Sequence, residues 1–236
     1  MRVWSSSKIA ACALALALAA CGAEAPAPQA QESEAIGDTV PVMGPERHIL
    51  AFGDSLFAGY GLEQGQSYPA KLELSLRARG INARVANAGV SGDTTAAALQ
   101  RLAFTLDNQA QVPDLAIVEL GGNDLLRRIP PEETRANLAA ILKELEARGI
   151  PVLLMGMRAP PNLGAAYQRE FDAIYPALAQ SSGAELVPFF LEPIYDKPDL
   201  LQDDNIHPTA HGIEALVAAT ANDVAGALPE VEQRRD

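Results

Sequence analysis

The chain has 236 residues, 48% of them hydrophobic and 20% charged, and a formal net charge of −12 at pH 7. This is ordinary globular composition, able to fill one core. The acidity repels phosphate backbones, so nucleic acid is not an expected partner. Only two cysteines occur, Cys12 and Cys21, both near the N-terminus, which leaves the folded body without a thiol or a disulfide.

The N-terminus reads as an address. Arg2 and Lys8 precede an apolar run from Ile9 to Ala20. That run is shorter than the roughly 20 residues of a membrane span and has the pattern of a secretory signal over residues 1–20. It ends Leu18-Ala19-Ala20-Cys21-Gly22, which resembles the lipobox of bacterial lipoproteins. The resemblance implies a lipid on Cys21 and attachment to a membrane of the bacterial envelope, facing the periplasm. In the sorting rule of enteric bacteria an Asp after the Cys favours the inner membrane; Gly22 points to the outer one. Residues 21–46 are rich in Ala, Pro, Gln and Glu, too poor in large apolar side chains to offset their ordering entropy. They are expected to form a flexible tether to a folded domain spanning 47–230.

That domain alternates strand and helix. Arg47 to Phe52 reads as a first strand, and Ser67 caps a helix carrying Leu72 and Leu76. Ile81 to Ala88 is the second strand, and Asp93 or Thr94 opens a helix carrying Leu99, Leu102 and Leu106. Leu115 to Leu120 reads as an apolar third strand, buried on both faces. Pro130 and Pro131 start a helix that Gly149 stops. Val152 to Met155 is the fourth strand, and Asn162 precedes one helix expected to reach about Ser181. Glu185 to Phe189 is the fifth strand, and Thr209 caps a last helix from Ala210 to about Leu228. The expected fold is α/β: a three-layer sandwich around a five-stranded parallel sheet, flavodoxin-like in its winding.

Polar clusters follow four of the strands: Gly53-Asp54-Ser55-Leu56, Asn87 to Asp93, Gly121-Gly122-Asn123-Asp124, and Asp203 to Pro208. In open α/β sheets sites form beyond the carboxyl ends of strands, so all four should share one edge. Acyl transfer needs a nucleophile, a base, a group that orients the base, and donors for an oxyanion. Ser55, His207 and Asp204 supply the first three. The Ser55 and Gly92 N–H groups and the Asn123 amide supply the donors. Asp203 competes with Asp204 but has the poorer spacing to His207. Asp54 reads either as a site neighbour or as a ligand of its own turn. Asp124 reads as structural, His211 as a helix-face residue, and His48 as lying at the wrong end of the sheet. No paired His or Cys stands at metal-ligand spacing and no phosphate loop appears, so neither metal nor cofactor is expected.

These blocks resemble the SGNH (GDSL) hydrolase superfamily, whose naming residues match Ser55, Gly92, Asn123 and His207. The run Gly53 to Gly61, Ser91-Gly92-Asp93-Thr94-Thr95, and Asp204-Asn205-Ile206-His207-Pro208 are similar to those of its bacterial thioesterase I, arylesterase and lysophospholipase group. Met157 to Gly164 resembles that group's mobile substrate loop. The resemblance implies a serine esterase or thioesterase that forms an acyl-enzyme on Ser55 and takes small-molecule or lipid acyl esters. The rival readings are a carbohydrate O-deacetylase and a non-catalytic, acyl-binding envelope lipoprotein.

Overall fold

A computed structural model describes residues 42–230. The signal at 1–20, the tether up to residue 41 and Cys21 lie outside the described residues. The last described residues of the expected tether touch the body: the Gly44 carbonyl accepts from the Asn82 amide at 3.0 Å, and Glu46 accepts from Arg84 at 3.0 Å.

Five parallel strands form one sheet: β1 (Arg47–Gly53), β2 (Ala83–Gly89), β3 (Leu115–Glu119), β4 (Val152–Met155) and β5 (Glu185–Val187). Their order is β2-β1-β3-β4-β5, the flavodoxin-like winding expected. β1 and β3 are central, which is why their sequences are nearly continuous apolar runs; Ile49, Leu50, Ala51 and Phe52 are each at most 1% exposed. The helices are α1 (Ser55–Ala58), α2 (Tyr68–Ala78), α3 (Thr95–Asp107), α4 (Gly122–Leu126), α5 (Pro131–Ala147), α6 (Ala165–Asp172), α7 (Ile174–Ser182) and α8 (Ala210–Ala227). α2 and α8 pack together on one face of the sheet, and α3, α5 and α7 on the other.

Three expectations are corrected. The single helix expected after β4 is two, α6 and α7, preceded by a 3-10 turn at Pro161–Leu163. Pro176 explains the break: without an N–H, and with a ring that clashes with the carbonyl four residues back, it cannot continue a helix through Asp172. β5 stops at Val187 rather than Phe189, because Pro188 cannot donate to the ladder. β3 is not uniformly apolar: its last residue, Glu119, is a fully buried carboxyl.

Chain winding reverses between β1 and β3, so a crevice opens beyond their carboxyl ends. The first and third polar clusters sit there, the second follows β2 beside them, and the long connection from β5 to α8 returns the fourth.

Candidate active site

The serine sits on a turn that the sequence leaves little choice but to make. Gly53 is in register with Glu119 across the sheet. A Cβ at Gly53 would lie 2.8 Å from the Glu119 carbonyl oxygen and 2.8 Å from the Phe57 ring, so only glycine fits. Asp54 then caps α1, its carboxylate accepting from the Leu56 N–H at 3.1 Å. α1 lasts one turn and ends at Gly59, whose φ of +83° suits glycine. Phe57 anchors this turn in the core, stacked on Tyr68 at 5.0 Å and edge-on to Phe190 at 5.8 Å. Ser55, at the start of α1, keeps its side chain at the crevice.

The histidine arrives from the other side. Its ring bridges two groups: Nδ1 lies 2.6 Å from Asp204 Oδ2, and Nε2 lies 2.8 Å from Ser55 Oγ. A carboxylate at Nδ1 requires the proton there, so Nε2 is the acceptor of the serine O–H. Asp204 also accepts the backbone N–H groups of Ile206, at 2.9 Å, and His207, at 3.0 Å, which fixes the carboxylate relative to the ring. Partial burial pushes the Asp204 carboxyl up, but the bonds from His207 and Ile206 and the charge of the imidazole outweigh it and bring it to about 2. Asp203 stands exposed, and its carbonyl accepts from the Asn205 amide. The Tyr60 ring lies 4.4 Å from the imidazole and covers it.

The Asn123 amide donates to Asp54 Oδ2 at 3.0 Å, which leaves its second N–H free for another acceptor. Gly92 takes a φ of +86°, with nothing nearer to a notional Cβ than Arg127 Nη2 at 3.8 Å. Ser55, Gly92, Asn123 and His207 line one cleft of about 500 Å³. Its remaining wall is largely apolar, with Leu125, Met157, Leu163, Phe189, Ile194 and Tyr195 among its side chains. The residues of the expected substrate loop, Met157 to Gly164, contribute Met157, Arg158, Pro160, Asn162 and Leu163 to that wall.

Residues 51–215 match the model of the GDSL-like Lipase/Acylhydrolase family. The chain belongs to that family. Relatives of this acylhydrolase include an arylesterase of Vibrio mimicus, 41% identical over 160 residues that cover 68% of this chain and 79% of the relative. A second is Thioesterase 1/protease 1/lysophospholipase L1 of Escherichia coli K12, 42% identical over 160 residues, or 68% and 74% of the two chains. Among solved structures, the SGNH-hydrolase family esterase AlinE4 is 69% identical, covers 80% of this chain and 100% of its own, and superposes with a TM-score of 0.68. The acylhydrolase is therefore a serine-dependent enzyme of the ester- and thioester-cleaving class.

Several side chains that hold the acylhydrolase site together escaped the sequence reading. Gln202 donates to the Tyr60 carbonyl at 2.8 Å and to the Pro208 carbonyl at 2.9 Å, tying the histidine loop to the serine loop. Arg101 of α3 bonds Asp93 at 2.6 Å and the Gly53 carbonyl at 2.9 Å while lying 4.2 Å over the Phe52 ring. Arg127 donates to the Gly92 carbonyl at 2.8 Å and so pins the second loop. None carries a sequence signal, because each reaches a backbone carbonyl from a different element. Asp124 is buried and accepts from the Thr95 N–H at 2.9 Å, from its hydroxyl at 2.5 Å and from Thr134 at 3.1 Å, as its structural reading anticipates. His48 pairs with Glu46 at 2.6 Å at the opposite end of β1, and His211 lies exposed on α8.

Proposed function

We propose that this chain hydrolyses acyl esters and thioesters through an acyl-enzyme on Ser55, with His207 as general base and Asp204 as its orienting partner. The observation that carries this reading is the unbroken line Asp204–His207–Ser55, at 2.6 and 2.8 Å, on the wall of an apolar cleft. The Ser55 proton passes to His207 Nε2 as Oγ bonds to the carbonyl carbon, and the carbonyl π electrons move onto oxygen. That oxyanion meets the Ser55 and Gly92 N–H groups and the Asn123 amide. Collapse expels the alcohol or thiol, which takes the proton from Nε2. Water then repeats the sequence, and the acid leaves. Asp204 stabilises the transient imidazolium and remains ionised throughout.

The apolar wall supports an acyl chain as the recognised part of the substrate, in a volume within the roughly 300–1,000 Å³ of ligand pockets. Named relatives act as arylesterase and as thioesterase and lysophospholipase, and this chain is proposed to share that ester class. Labelling with a fluorophosphonate, together with turnover of a p-nitrophenyl ester, tests the assignment. Wild type should label and turn over and Ser55→Ala should do neither; a Ser55→Ala enzyme working at wild-type rate refutes it.

The sequence further supports an envelope enzyme. Cys21 carries a lipid, the chain between it and Gly44 acts as a leash, and the domain faces the periplasm, with the outer membrane favoured by Gly22. Cys21→Ala should move the protein from the membrane to the soluble fraction and abolish incorporation of labelled palmitate; an unchanged distribution refutes the anchor.

A further inference from the structure

Glu119 has no part in the acyl-transfer scheme, yet it sits directly behind it. It is the last residue of β3, between Gly53 of β1 and Met155 of β4, with no measurable exposure. Neither of its carboxyl oxygens accepts a well-formed hydrogen bond from a donor among the described residues; both are buried. A buried ionised carboxyl without a donor is among the costliest arrangements a core can hold. Its neighbour is another carboxyl, Asp54, which is buried to the same degree. The two are not alike. Asp54 accepts the Leu56 N–H at 3.1 Å and the Asn123 amide at 3.0 Å, as a carboxylate requires. Glu119 has the Asp54 carboxyl as its neighbour and no donor at good hydrogen-bond geometry, a setting that suits a protonated carboxyl.

We propose that Glu119 is held as a neutral carboxylic acid, that its O–H is donated to Asp54, and that this acid–carboxylate pair is the positioning device that aims the Asn123 amide into the oxyanion hole. The pair works by exclusion. Asp54 must remain an acceptor to orient Asn123 Nδ2; a proton on Asp54 would turn one oxygen into a donor and release the amide. A single proton parked on Glu119 keeps Asp54 ionised and supplies it with a third donor. The inference rests on the proposed oxyanion role of Asn123.

The electrostatics agree with the geometry. Burial and the negative charge of Asp54 push the Glu119 carboxyl well above the usual carboxylate range, although the Asp54 N–H draws it down in part. Other charged and titratable groups surround the pair. Tyr175 of α7 donates to the Leu120 carbonyl at 2.8 Å, and its hydroxyl is pushed up by burial and then by Glu119, Asp124 and Asp54. Burial pushes the Asp54 carboxyl up as well, but less far, because the Leu56 N–H, the Asn123 amide, Glu119 and the charge of His207 on the cleft side all draw it down; Arg101 reaches the Gly53 carbonyl from α3.

The test joins spectroscopy with kinetics on the purified enzyme. Infrared spectra at neutral pH should show the C=O stretch of a protonated carboxyl that moves on incorporating 13C-labelled glutamate and vanishes in Glu119→Gln. Glu119→Leu, which has no donor, should lower kcat by about ten- to a hundredfold at similar KM, the effect of a misaimed catalytic group. Glu119→Gln, whose amide donates to Asp54, should restore most of that loss. The wild-type enzyme should lose kcat at alkaline pH as Glu119 ionises, and Glu119→Gln should not. Identical wild-type and Glu119→Gln spectra, or a Glu119→Leu enzyme with wild-type kcat, overturn the proposal. If Glu119→Leu does not fold, the spectrum and alkaline limb of Glu119→Gln decide. Asn123→Ala separates the two readings: a variant with unaltered kcat defeats the oxyanion role of Asn123 and leaves the carboxyl band in place.

Discussion

Replacing Asn123 by alanine removes one bond that is present and one that forms only during reaction. The amide spends one N–H on Asp54 Oδ2, at 3.0 Å. Its second N–H serves the developing oxyanion, and loss of such a donor typically costs about 2.7–4 kcal/mol, a hundred- to a thousandfold in kcat. KM should change little, because the interaction strengthens only as charge appears on the substrate oxygen. The bond to Asp54 contributes to the folded state instead. Losing one donor from a buried carboxylate should lower stability by about 1.5–3 kcal/mol. The assay is kcat and KM on p-nitrophenyl butyrate, with urea unfolding of the same preparation. A raised KM at unchanged kcat would show that Asn123 merely holds the ground-state substrate, and would refute the reasoning.

Other predictions test the remaining links. Asp204 has a folded pKa depressed to about 2 from an ordinary 3.8, so its contribution to stability is full above the ordinary value and disappears as pH falls through the depressed one. The stability gap between wild type and Asp204→Asn should therefore close on acidification across that window; a gap independent of pH contradicts it. In the core, the Tyr68 hydroxyl donates to Thr220 Oγ1 at 2.7 Å, and Thr220 donates onward to the Leu216 carbonyl at 2.8 Å. Thr220→Val strands a buried phenol at a cost of about 1–3 kcal/mol, whereas Tyr68→Phe leaves no donor unmet and costs about 1 kcal/mol. Urea titrations that reverse this order would disprove the direction of the bond. For the cleft, each acyl methylene buried against the apolar wall contributes about 0.8 kcal/mol, so kcat/KM should climb about fourfold per carbon from acetate until the cleft is full. A flat series of p-nitrophenyl esters would mean that the acyl chain lies elsewhere.

Local chemistry is what a sequence states openly. The apolar run of β3 announces a strand covered on both faces, and Ser67, Thr94 and Thr209 announce helix starts, each capping with its side chain. Four polar clusters behind strands announced a shared edge, because strand direction and right-handed crossovers leave no other arrangement. Ser55, Asp204 and His207 were legible as chemical types at suggestive spacings. The helix break at Ala173 is legible too, in Pro176.

Distance across the fold is what only the tertiary structure decided. Ser55 and His207 are 152 positions apart, and no periodicity encodes their 2.8 Å contact. Arg101, Arg127 and Gln202 bind backbone carbonyls, which every residue has, so nothing in their partners' identities gives them away. In sequence Glu119 is hidden inside the run Leu115 to Leu120, which reads as an apolar strand. Folding places it against Asp54 with both its oxygens hidden from water, and proximity in a dry interior turns an ordinary acid into an unusual one.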